Sequence, residues 1–499
     1  MRVRPAPLPR PLIFAVLGVI FGMTVLACVR WNLWTYGSDT GTFSQVIWNV
    51  PRGFTDTLEL GGTHFRTHWS PILAVLWPLV ALTRSPLSIQ IAQVILIALA
   101  ALPLYALIAS YAGTQWATRC AILALLYPPL LANAFAEFHE LAFYPVLALA
   151  LMWAADRARW VWFYVFSIAL VLIREDACLD LVFIGLVLCI IGLVRRQTTE
   201  RGLMLGEPIE PQRLAVAGFS LTVLSVGALA FYSLVVLPRL GSWAPSHFYQ
   251  YPFAHGPLQT ALSIFTHPVQ LVRAIATRGR LTYLLEAFVP LALLPLLTRW
   301  TWLALPAFAG VLLSSDQSVW RMGMHYVLLW APWMVLAAAW AIVRLAQDRS
   351  PRVALLWWRT AIVLCVVFLI AFNPMHPAHY LQPEPYQHSA DVTRAFACVP
   401  STAPVATHDE WYAHEAIAYP KATEIPDRPQ DFRGYIVYGA DWQNAHFSQL
   451  HPQIAAALVR GEFQLVCSYG QIRVLRSTRY GSWKVPRFAD ASSSKSSKK

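Results

Sequence analysis

A chain of 499 residues that is 57% hydrophobic and only 13% charged, with mean hydropathy +0.49, is too apolar for one soluble core, and its apolar runs approach the roughly twenty residues of a bilayer span. The net charge of +12 does not point to nucleic acid, because Arg2, Arg4, Arg10, Arg157, Arg159, Arg195, Arg196, Arg201, Arg213, Arg344, Arg349 and Arg352 sit in short segments between apolar runs. That distribution orients helices in a membrane, and the 21 Trp suit interfacial anchoring.

The chain opens with a basic stretch, Arg2 to Arg10, and an apolar run, Leu12 to Cys28. The pair looks like a signal peptide, and Val25 to Cys28 even makes a poor lipoprotein-type cleavage site. The run is long enough to span, however, and many more follow, so it reads as the first crossing. Tyr36 to Ser70 is then the only long polar segment in the first half. It carries Asp39, a few residues beyond the span, and the histidines His64 and His68. Within it Ser44 to Val50 reads as a short helix lying on the membrane, and Pro71 to Thr83 is apolar but too short to cross, hence interfacial or re-entrant.

Further crossings are expected at Leu87 to Tyr111, Ala117 to Ala132, Leu141 to Ala155, Trp160 to Ile173, Ala177 to Val194 and Leu214 to Leu237. A polar cytoplasmic loop separates the last two, and Gly241 to Arg280 forms a second long external segment. Leu281 to Leu297, Thr301 to Leu313, His325 to Val343 and Val353 to Phe372 complete roughly eleven crossings, an odd total that leaves the C-terminus outside if the N-terminus is cytoplasmic. From Asn373 the composition turns polar. Val392 to Cys398 and Pro452 to Arg460 read as helices, and Pro404 to Thr407, Tyr435 to Gly439, Phe463 to Ser468 and Gln471 to Arg476 as strands, the last two forming a hairpin at Tyr469 and Gly470. The expectation is a membrane domain over 1–372, a small extracytoplasmic α/β domain over 373–482 and a disordered Ser/Lys tail over 483–499. Cys398 and Cys467, the two cysteines of the outer domain, are expected to pair in an oxidising compartment.

The membrane-proximal acids fall on one side. Glu137, His139 and Glu140 in AFAEFHELAFYP, Glu175 and Asp176 in IREDACLD, and Asp316 and His325 in SSDQSVWRMGMHY join Asp39, His64 and His68 on the expected external face. Carboxylates and imidazoles held there suit proton transfer or metal binding, with His64 and His68 the metal candidates, and are costly to keep near lipid without a use. Each has a bland alternative: Asp39 as a helix cap, Glu175 and Asp176 as a charge cluster with Arg174, His139 as an interfacial histidine. Arg273 and Arg280, seven apart, are expected to share one face of an amphipathic helix, suited to a lipid phosphate or to plain headgroup anchoring.

The succession YGSDTGTFSQVIWN, HFRTHWSPIL, ALPLYALIA, EFHELAFYPVLALAL, REDACL and GMHYVLLWAPW resembles an uncharacterised family of predicted membrane proteins grouped with the GT-C glycosyltransferases. The resemblance covers most of Asp39 to Ala338, with a looser echo in ACVPSTAPVATHDEW. It implies a GT-C-like α-helical polytopic fold with interfacial helices in the first external loop, and a sugar arriving on a polyprenyl phosphate in the membrane lipid. Asp39 matches the acidic position that in such enzymes is the catalytic base or a contact to a divalent metal, Mg or Mn. The Asp-Glu or Asp-Asp pair of many members is replaced here by Asp39 flanked by Ser38 and Thr40. On this reading Glu137, His139, Glu175, Asp176 and His325 bind substrate and Arg273 and Arg280 hold the lipid phosphate. A transporter or lipid flippase is the competing class, set back by the absence of a visible repeat and by acids gathered at helix ends rather than at mid-membrane. A non-catalytic membrane protein is the third.

Overall fold

The computed structural model describes residues 8–57, 62–194, 210–240, 266–372, 380–381, 389–441 and 447–480. The basic residues Arg2, Arg4, Arg195, Arg196 and Arg201, most of the segment from Gly241, the boundary at Asn373 and the Ser/Lys tail lie outside them. Among the described residues, six helical runs are long and apolar enough to cross a membrane: Arg10–Asn32, Leu87–Leu126, Glu175–Val194, Pro211–Arg239, Val327–Asp348 and Pro351–Phe372. Apolar side chains such as Phe14, Phe21, Val161, Phe219 and Ile370 face outward on these and neighbouring helices. That suits lipid contact, where an exposed apolar surface carries no penalty.

In chain order the helices are α1 (Arg10–Asn32), α2 (Ser38–Trp48), α3 (Trp77–Thr83), α4 (Leu87–Leu99), α5 (Ala101–Leu126), α6 (Pro128–Phe135), α7 (Tyr144–Asp156), α8 (Trp160–Val171), α9 (Glu175–Val194), α10 (Pro211–Phe231), α11 (Pro268–Ile275), α12 (Arg278–Phe288), α13 (Leu305–Leu313), α14 (Val327–Asp348), α15 (Pro351–Val367), α16 (Ser389–Phe396), α17 (Asp409–Glu415) and α18 (Phe447–Val459). The long second run breaks at Gly113, whose φ of 74° only glycine adopts without strain. Sequence reasoning puts the turn between two crossings there. The next helix stops at Leu126 because Tyr127, before Pro128 and Pro129, is extended.

Two sequence expectations are corrected. Leu281 to Leu297 is not one helix: α12 ends at Phe288, 3₁₀ turns follow at Val289–Leu291 and Leu294–Leu297, and Ala292 and Leu293 between them are left-handed. Pro290 and Pro295 remove the amide donors that a continuous helix requires. Arg273 and Arg280 likewise share no helix, since α11 ends at Ile275 and α12 begins at Arg278.

The chain forms two compact units. One comprises the described residues of Met1–Val25, His68–Ile72 and Ala92–His376. In it α9 and α10 lie backbone to backbone. A Cβ at Gly218 would stand 2.3 Å from the Cys189 amide nitrogen, and one at Gly192 2.4 Å from that of Ala215. Small residues that admit such approach are how helices pack where lipid removes the hydrophobic incentive.

The other unit comprises the described residues of Leu26–Thr67, Leu73–Ile91 and Pro377–Lys499. Its sheet has the order β2-β1-β3-β5-β4, with β1 (Val405–Thr407), β2 (Ala422–Glu424), β3 (Tyr435–Gly439), β4 (Phe463–Tyr469) and β5 (Ile472–Ser477). β1 pairs in parallel with β2 and β3, and β5 runs antiparallel to β3 and β4. The hairpin turns through Gly470 in the left-handed region. Cys398 and Cys467 are bonded. One side of the sheet packs Val405, Val437 and Val474 against Phe396, Trp411 and Tyr412, and another cluster gathers Ile436 and Leu475 with Ile454 and Phe463.

Candidate active site

In the first unit, the polar chemistry is organised by an amide. Gln93, on α4, is buried. Its Nε2 donates to the carbonyls of Asn133 (2.8 Å), Ala136 (3.2 Å) and Glu137 (2.9 Å), while its Oε1 accepts from the His139 N–H at 2.9 Å. Non-helical backbone between α6 and α7 thereby finds the partners that burial demands. The turn it builds presents Glu137, His139 and Glu140.

Glu140 is fully buried and has two partners. His139 Nδ1 lies 2.8 Å from Oε2 and Arg174 NH1 3.2 Å from Oε1. Burial opposes its ionisation, but His139 and the Arg174 guanidinium outweigh that and hold the carboxyl well below the usual carboxylate range. Arg174 also reaches Asp176 Oδ2 through Nε at 3.0 Å and lies over the Tyr326 ring at 5.4 Å. The imidazoles of His139 and His325 stack with centroids 3.3 Å apart.

A second carboxylate–histidine dyad lies at the start of α9. His68 Nδ1 is 2.6 Å from Glu175 Oε1, and the Trp69 N–H donates to Oε2 at 2.9 Å. A carboxylate that fixes a histidine's tautomer prepares the opposite ring nitrogen to take or give a proton. The unit therefore brings together His68, Glu175, Arg174, Asp176, Glu140, His139 and His325 through these contacts, with Glu137 on the same turn. Arg280 is committed elsewhere: it donates to the carbonyls of Ala274 and Ser314 and lies over Trp320 at 4.1 Å. Arg273 is exposed.

Asp39 and His64 belong to the second unit. The α2 helix begins at Ser38, with Gly37 as its cap residue and no side-chain capping bond. Asp39 is thus not the cap but an exposed carboxylate in the first helical turn, where an acidic side chain complements the helix dipole. His64 is buried and faces Asp56 at 3.6 Å. Among the described residues no three His, Cys, Asp or Glu side chains gather in a way that would hold a metal ion. What the carboxylate–histidine contacts themselves offer is proton transfer.

Sequence reasoning passed over Gln93 and Gln45, and gave Arg174 only the part of a neighbour in a charge cluster. The available signal was SIQIAQ, two amides three residues apart in an otherwise apolar run, which lipid makes expensive unless they are bonded.

Fold and site together define a polytopic α-helical membrane protein with a small mixed-sheet region near its C-terminus and buried ionisable side chains between its helices. Residues 29–416 match the family described as Predicted membrane protein (DUF2079), and the chain belongs to that family. No curated protein matches it. Among solved structures it is similar to ArnT from Cupriavidus metallidurans bound to undecaprenyl phosphate, at 13% identity and a TM-score of 0.48 over 94% of this chain and 99% of that one. It is also similar to the oligosaccharyltransferase of Archaeoglobus fulgidus in its apo form, at 12% identity and 0.46 over 88% and 71%. The Archaeoglobus fulgidus AglB, in complex with an inhibitory peptide and a dolichol-phosphate, gives 11% and 0.46 over 93% and 74%.

Proposed function

We propose that this protein is a membrane glycosyltransferase that moves a sugar from a polyprenyl-phosphate donor to an acceptor on the extracytoplasmic face. The observation that supports it best is the pair of carboxylate–histidine dyads at helix ends beside Arg174, His139–Glu140 buried and His68–Glu175 half-buried. A passive scaffold has no use for such groups, and lipid selects against them. Asp39 is the catalytic base. It is exposed on the first turn of α2, and it matches the acidic position in the sequence resemblance to GT-C enzymes. Glu137, His139, Glu175, Asp176 and His325 bind the sugar and acceptor. Arg273, exposed, takes the lipid phosphate, while Arg280 holds the turn between α11 and α12.

The test is transfer by purified protein from a panel of polyprenyl-phosphate sugars to membrane extract, with and without Mg or Mn. Asp39→Asn keeps the shape and removes the charge, and should lower transfer by about 10²–10⁴-fold with donor binding intact. Full transfer by this variant would move the base elsewhere, with Glu137 next. One observation favours a proton-coupled transporter instead: Asp180, buried inside α9, accepts from the Tyr144 hydroxyl at 3.2 Å. Substrate flux in proteoliposomes without turnover of any donor would decide for that reading.

A further inference from the structure

The helix that carries Asp39 also carries Gln45, on its buried side about two turns on. Gln45 is wholly inaccessible, and its amide joins distant parts of the chain. Nε2 donates to the Ala422 carbonyl at 3.0 Å, and Oε1 accepts from the Thr57 N–H at 3.1 Å and from the Tyr412 hydroxyl at 3.0 Å. Both ends of the amide are satisfied only when α2 has one rotation and one height. Any other pose leaves buried polar atoms without partners. Gly41, one turn earlier, lies against the Tyr412 ring so closely that a Cβ would come within 2.6 Å of ring carbons. Just before α2, Trp31 and Trp34 both stack on the His414 imidazole, at 3.7 and 4.0 Å between centroids. Tyr412 and His414 are on α17, and Ala422 opens β2.

We infer that Gln45 is a positioning residue for Asp39: through Tyr412 and Ala422, the C-terminal α/β region sets the pose of the helix whose exposed turn bears the carboxylate. This rests on the assignment of Asp39 as the base. The bland alternative is a satisfied core glutamine that adds only stability. The two differ because a stabilising residue lowers the amount of folded protein, whereas a positioning residue lowers kcat in protein that is folded and binds donor normally.

The experiment uses the full chain. Gln45→Leu removes all four bonds, the one from the Thr57 hydroxyl included, at similar volume, and Tyr412→Phe removes one hydroxyl and keeps the ring against Gly41. Hydrogen exchange is followed in Ser38–Trp48 and, as an internal reference, in Tyr435–Gly439, alongside kcat and KM for a polyprenyl-phosphate sugar. Gln45→Leu should speed exchange of the Asp39 helix on the order of tenfold or more with β3 unchanged, and lower kcat by a factor on the order of ten at constant donor KM. Tyr412→Phe should move both in the same direction by less, and supplies the answer if Gln45→Leu does not fold. Unchanged exchange in Ser38–Trp48 overturns the clamp, and faster exchange with unchanged kcat overturns the positioning role. Asp39→Asn, assayed in parallel, separates the two ideas: retained turnover there defeats the base assignment while the exchange data still judge the clamp.

Discussion

His408 closes β1 with 4% of its surface exposed, and its Nε2 accepts the Gly439 N–H at 3.1 Å. An acceptor nitrogen in a buried ring must be unprotonated, and burial lowers its pKa from 6.5 to about 3. The unfolded chain therefore binds a proton that the folded chain refuses between those values, so the contribution of His408 to stability is complete above pH 6.5 and is lost as pH falls toward 3. Glu415 has the opposite sign. Burial raises it to about 7, the folded state holds the extra proton, and stability is lost as pH rises from 4.5 to 7. The informative quantity is hence the difference between wild type and His408→Gln, which keeps an acceptor for Gly439 and does not titrate. Between pH 7 and pH 5 the wild type should lose about 2 kcal/mol more than the variant, read by denaturant unfolding at each pH; parallel pH profiles would show that the ring titrates as if exposed. At this scale the charged residues were legible in the sequence, because Glu140, Glu175 and His68 stand out against apolar neighbours. Gln45 and Gln93 were not, since an amide has no charge to mark it and its value lies in partners far along the chain.

The contact between α9 and α10 gives a test on whole elements. Gly218 meets backbone atoms of Cys189 at 2.3 Å from its would-be Cβ, whereas Gly227, on the same helix, has nothing within 4 Å. Backbone cannot swing aside as a flexible side chain can, so Gly218→Val must separate the helices and should cost roughly 1–3 kcal/mol or more. Gly227→Ala should gain about 0.5–1 kcal/mol, because a helical alanine loses less chain entropy on folding. Thermal unfolding in detergent decides, and equal melting temperatures for the two variants would mean that the close approach does not hold the helices. The elements are unevenly legible in the sequence, for physical reasons. β3, at Tyr435–Gly439, is legible because a run of β-branched and aromatic residues signals a buried strand. β2, of three residues, is too short to show alternation, and α17 follows β1 at once with its acids in the first turn, so DEWYAHE offered no apolar period. The prolines of Pro290 and Pro295 were in plain view, but mean apolarity over Leu281 to Leu297 hid the breaks they impose.

At the scale of the whole molecule, the compact units are discontinuous in sequence, because the second unit draws on Leu26–Thr67 and Leu73–Ile91 as well as on the C-terminal region. Periodicity is a local signal, and the bond from Gln45 to Ala422 joins residues 377 apart; no window on the sequence contains both. Sidedness, by contrast, is carried by charge that a local reading does see. Arg157 follows α7, and Arg349 and Arg352 lie where α14 gives way to α15. Glu140 lies at the approach to α7, and Glu175 and Asp176 in the first turn of α9, which the arginines Arg195 and Arg196 follow. Basic loops are retained on the cytoplasmic side during insertion while acids exert little pull, so we predict that the arginine ends face the cytoplasm and the ends bearing Glu140 and Glu175 face out. We predict that the C-terminal α/β region and the loop between α1 and α4, which the hydrogen bonds of Gln45 join, lie together on that outer face. Single cysteines introduced at Gln197 and Ser448 in an otherwise cysteine-free chain test this with a membrane-impermeant maleimide. In intact cells position 448 should label and position 197 should label only after permeabilisation; equal labelling of both, or the reverse order, would overturn the orientation and with it the extracytoplasmic placement of Asp39.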